Sequence, residues 1–132
     1  MIWEVSKSEA VELEIDKLLF RVANLRGPDY ASRWYEALLV AIDSLADFPG
    51  PRSFPQSIEE SERRRAEVRY RTYNGPDKKP VPSVACHIFF ALYDPTQGEE
   101  TGRVLVLRVI GTRTQAASDV LKGRDSGNGE VP

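Results

Sequence analysis

Arg69 and Arg71 lie two residues apart in the run AEVRYRTY, residues 66–73, which alternates polar and apolar side chains. A strand there points Val68, Tyr70 and Thr72 one way and Glu67, Arg69 and Arg71 the other. Two guanidinium groups on one uncovered sheet face can grip a phosphate. They suit equally a solvated face paired to Glu67 or to the acidic loop before it. His87, the only histidine, titrates near neutrality and can shuttle a proton. That role requires it to share a face with the two arginines; otherwise it is a packed, hydrogen-bonded strand residue. Arg108 and Arg113 stand at the end of the last apolar run, where a second basic contact would form. Cys86 alternates with Val84, Ile88 and Phe90, which places an inert thiol in the core. With one cysteine and one histidine, no disulfide and no zinc-ligand spacing exists. No metal or cofactor is expected.

The elements that hold these residues follow from periodicity. Ile2 to Val5 alternates and predicts a short strand. Apolar residues at 11, 15, 18, 19, 22 and 25 predict a helix over Glu9 to Leu25, ended by Gly27-Pro28. Tyr30, Trp34, Leu38, Ala41, Ile42, Leu45 and Phe48 predict a second helix of about 19 residues, roughly 29 Å long. Its aromatic stripe, Tyr30, Trp34 and Phe48, is expected to face a sheet. Residues 49–65 form an irregular connection in which Glu59, Glu60 and Glu62 can pair with Arg63, Arg64 and Arg65. Strands are expected over 66–73, 83–93 and 103–110. The turn between the first two, 74–82, is longer than a hairpin needs and carries Lys78 and Lys79. It suits a contact loop and a tolerated insertion equally.

The resulting order is β-α-α-β-β-β. It predicts an α+β fold, a small, mainly antiparallel sheet with a two-helix hairpin packed on one face. The chain has 132 residues, the size of one domain. Residues 1–62 carry 6 basic and 12 acidic side chains, and residues 63–132 carry 12 basic and 8 acidic, giving −2 in all. So the protein is no polycation, although a basic surface in its second half is possible. No run of about 18 apolar residues predicts a membrane span. The N-terminus has no secretory pattern, so a cytoplasmic protein with no membrane partner is expected.

Several segments together resemble the RelE/ParE superfamily of type II toxin–antitoxin toxins, which includes many plasmid stabilization proteins. They are Trp34-Tyr35-Glu36-Ala37-Leu38, Ala41-Ile42-Asp43-Ser44-Leu45, Phe48-Pro49, Glu67-Val68-Arg69, Ile88 to Asp94, Val104 to Val109, and Gly111-Thr112-Arg113. No one motif is specific; their order and spacing carry the likeness across roughly 2–115. The resemblance implies a growth-inhibiting toxin domain over 1–115, with a flexible tail over 116–132. It implies an antitoxin partner encoded nearby, and a target that is either the ribosome with its mRNA or DNA gyrase. For a RelE-like mRNA endoribonuclease (an mRNA interferase), the catalytic candidates are Arg69, Arg71, His87 and Arg113. Cations would stabilise the phosphorane and His87 would move the proton. The chain departs from the pattern near Arg113. Ile110 and Gly111 stand where many relatives have a histidine, and no Tyr, His or Lys follows Arg113 until Lys122. A ParE-like inhibitor needs only a binding surface, and a non-toxic binding module on the same fold is the alternative.

Overall fold

A computed structural model describes residues 2–112. The elements run β1 (Ile2–Lys7), α1 (Glu9–Arg26), α2 (Pro28–Asp43), α3 (Ile58–Arg64), β2 (Glu67–Tyr73), β3 (Cys86–Tyr93) and β4 (Thr101–Gly111). The Ser8 hydroxyl accepts the Val11 amide at 3.2 Å and starts α1; Glu9 and Glu12 then face the positive end of that helix. Gly27 closes α1 at φ +91°, and Pro28, needing no amide donor, opens α2. The corner is therefore chemically forced, and the two helices return antiparallel.

The fold is the expected α+β arrangement. One sheet of order β1-β4-β3-β2 carries the helix pair on one face. β2, β3 and β4 pair antiparallel, while β1 lies parallel to β4 at the sheet edge. The helical hairpin supplies the long crossover that a parallel pair requires. Beneath it Val11, Ile15, Trp34, Leu38, Ile42 and Leu45 pack onto Ile88, Phe90, Val104 and Val106, all buried. Trp34 is locked at both ends. Its Nε1 donates to the Val84 carbonyl at 2.9 Å, and its own carbonyl accepts the Tyr73 hydroxyl at 2.8 Å.

Several boundaries differ from the sequence expectation. α2 stops at Asp43 and tightens into a 3-10 turn over Ser44–Ala46. Phe48 therefore leaves the helical stripe and is 98% exposed, while Tyr30 and Trp34 are buried as expected. The connection after α2 contains the short helix α3, whose buried Glu60 takes both Arg63 and Arg64. β3 starts at Cys86 because Pro82–Val84 forms a 3-10 turn. The domain limit at 115 and the tail over 116–132 lie outside the described residues.

β4 contains a bulge. Phe89 of β3 pairs with Arg108, and the next residue, Phe90, pairs with Val106. Leu107 is thus extra, and Val106 and Val109, three apart, both reach the helix-covered core. Glu14 of α1 fills the irregularity: its carboxylate accepts the Val109 amide at 2.9 Å and Arg108 Nε at 2.6 Å.

Candidate functional site

The register decides what the candidate residues can do together. Arg69 lies opposite Phe90 and Arg71 opposite Ile88. Phe90 and Ile88 belong to the core under the helices, and directly paired residues share a face. Both arginines therefore sit on the helix-covered face, not on the uncovered face where a phosphate grip was expected. They lie at the margin of that core, where long aliphatic stems can pack while the guanidinium groups reach polar partners.

Each guanidinium fastens a segment to β2. Arg69 Nη1 donates to the Phe54 carbonyl at 2.7 Å, and its Nε donates to Glu67 at 2.7 Å. Arg71 Nη1 donates to the Ala41 carbonyl at 2.8 Å and to Ser44 Oγ at 2.7 Å, which ties down the C-terminal end of α2. Its guanidinium lies 5.4 Å from the centre of the Phe54 ring. Burial pushes the Arg71 pKa down from its ordinary value. Glu67 also receives Arg52, which bridges to Asp94. The Arg52 and Arg69 guanidiniums together hold the Glu67 carboxyl below the usual range. The outer edge of β2 is occupied as well: Ser57 donates its amide to Val68 and Tyr70 donates to Pro55.

His87 belongs to the other face. It pairs across to Thr72 and Ile110, and its Nδ1 shares a hydrogen bond with the Thr72 hydroxyl at 2.9 Å. Tyr70 meets the imidazole edge-on at 5.7 Å, and Phe89 lies 6.2 Å away. Val68, Phe89, Ala91 and Ile110 form the buried part of this second apolar cluster. Desolvation lowers the His87 pKa, so the ring is neutral at physiological pH. A neutral imidazole can accept a proton, but the strand neighbours that flank it do not ionise.

The candidates thus do not converge. Arg69 and Arg71 are together on one face, His87 is on the opposite face, and Arg113 lies outside the described residues. Cys86 is fully buried in the core as expected. Among the described residues no group of three or more His, Cys, Asp or Glu side chains is placed to hold a metal ion. No described helix is long and apolar enough to cross a membrane. The sequence reading missed the roles of Glu14, Arg52 and Asp77. Their partners Arg108, Asp94 and Arg33 are distant along the chain, and no local pattern announces such pairs. No family model matches the chain, and no curated protein matches it significantly.

Proposed function

We propose that the chain is the toxin of a type II toxin–antitoxin pair of the RelE/ParE kind, and that it acts by binding its target, not by cutting RNA. The placement of Arg71 and His87 on opposite faces carries the second half of this reading. A 2′-hydroxyl attack needs the proton acceptor and the phosphate-binding cations around one reacting group. Here the sheet itself lies between them. The β-α-α-β-β-β order, with a helical hairpin on one face, supports the family reading that the sequence segments raise. DNA gyrase is the target that fits a non-catalytic toxin of this resemblance. The protein would work in the cytoplasm, held in check by an antitoxin encoded beside it.

The test is induced expression of the full chain in a bacterial host, followed by two assays on purified protein. Growth arrest, loss of gyrase supercoiling and an uncut message on programmed ribosomes are the expected results. Cuts within the ribosomal A site would return the activity to a nuclease. A folded chain that neither arrests growth nor affects gyrase would leave the non-toxic binding module.

A further inference from the structure

The long connection between β2 and β3 is strapped against α2. Asp77 pairs with Arg33 of α2 at 2.9 Å. The Asn74 carbonyl accepts the Val81 amide at 3.0 Å and closes the loop on itself. Gly75 holds φ +109° close to Tyr30, where a Cβ would stand 3.2 Å from the phenol oxygen. Between this strap and the second half of α2 lies a groove of about 340 Å³, lined among others by Val40, Ser44, Arg71, Asn74, Asp77 and Lys78.

Arg71 is the unusual group in it. Arg52, Arg69 and Arg108 also lie against the sheet, and each meets a carboxylate, at 2.8, 2.7 and 2.6 Å. Arg71 meets only the neutral oxygens of Ala41 and Ser44, both through Nη1. No described residue accepts a hydrogen bond from its Nε or Nη2. A partly buried guanidinium without a counter-charge is costly, and an anion in the groove would offset that cost. Lys78 supplies a second cation on the strap wall. Asp77, the one carboxylate in the lining, has its charge taken up by Arg33.

We infer that this groove is a binding site for a phosphate group, held by the free edge of Arg71 and by the Lys78 ammonium. The Nε and Nη2 donors form a fork that matches two oxygens of an oxyanion. A planar carboxylate would be satisfied by that fork alone. A tetrahedral phosphate keeps a further oxygen for Lys78 and the Asn74 amide on the opposite wall. The inference does not depend on the toxin reading.

Amide chemical shifts of the full chain, followed during titration with inorganic phosphate at constant ionic strength, test it. Saturable shifts at Ser44 and over 71–78 are expected. Lys78→Ala alters an exposed side chain, so it should fold normally and weaken binding about 3- to 10-fold. Arg71→Lys keeps the charge but loses the fork, and should weaken it by a similar factor. Lys79→Ala, outside the lining, should change nothing. A short single-stranded RNA with a 5′-phosphate then distinguishes the sources of the group. Binding about tenfold tighter than inorganic phosphate points to a nucleic-acid phosphate, and equal affinity to the free ion. Absence of saturable shifts, an unaltered affinity in Lys78→Ala, or acetate binding as well as phosphate would each overturn the inference.

Discussion

Arg71 and His87 occupy adjacent strands at neighbouring register positions, yet their side chains leave the sheet in opposite directions, Arg71 opposite Ile88 and His87 opposite Thr72. The consequence is a division of labour. Arg71 works on the helix side as a fastener, and His87 sits with Tyr70 and Phe89 on the far side.

His87 gives a pH signature. Its native pKa is lowered by burial, so the unfolded chain binds the proton more readily. The contribution to stability is full above the ordinary histidine value near 6.5 and declines as pH falls through it towards the lower native value. Denaturant midpoints between about pH 5 and 7 should therefore drop with acidification, and His87→Gln should flatten that slope. An imidazole NMR titration with a midpoint at or above the ordinary value would contradict this.

Arg71→Met keeps the aliphatic stem and removes the two hydrogen bonds to Ala41 and Ser44. Urea unfolding should show a loss of about 1 to 2 kcal/mol. Hydrogen exchange should accelerate first at the C-terminal turn of α2, because that is the segment the guanidinium holds.

Glu14 joins α1 to the β4 bulge through both Arg108 and the Val109 amide. Glu14→Ala leaves that amide without its acceptor and should cost about 1 to 3 kcal/mol in thermal or urea unfolding. In combination with Arg108→Ala the two losses should not add, since one interaction underlies both.

Gly102→Ala tests the docking of β1. A Cβ there would stand 2.6 and 2.7 Å from Trp3 ring atoms and 3.1 Å from the Tyr93 carbonyl. Trp3 must swing away, at an expected cost of about 1 to 3 kcal/mol. Trp34 is fully buried and far less free to move, so the shift in tryptophan fluorescence should come from Trp3.

Cys86 is fully buried and its thiol pKa is pushed up to about 12 by desolvation. At pH 8 the native protein should react with a thiol reagent only as fast as it unfolds, and promptly in denaturant. Because the folded value is raised, the thiol's contribution to stability is complete below the ordinary value near 9 and is lost as pH rises beyond it.

The sequence by itself determined the elements and their order. Helical spacing from Val11 to Leu25 and from Tyr30 to Leu45 marks two helices, and Gly27-Pro28 can only be a corner between them. Alternation places Cys86 with Ile88 and Phe90, and that side proved to be the core. It also puts Arg69 and Arg71 on one face, as observed. What alternation cannot state is which face of β2 the helices cover. Val68 and Tyr70 favour burial on one side as much as Tyr73 does on the other, and an arginine stem packs on either.

Only the pairing of β2 with β3 resolved that choice. Strand register is set by contacts between residues far apart in the chain, and a one-residue change would exchange the faces of the whole strand. The same holds for the Leu107 bulge, which moves Val109 into the core against strict alternation. It holds too for the Arg33–Asp77 pair that straps the β2–β3 connection down. The groove at Arg71 exists because these distant pairings close around it, and periodicity along the chain carries no record of them.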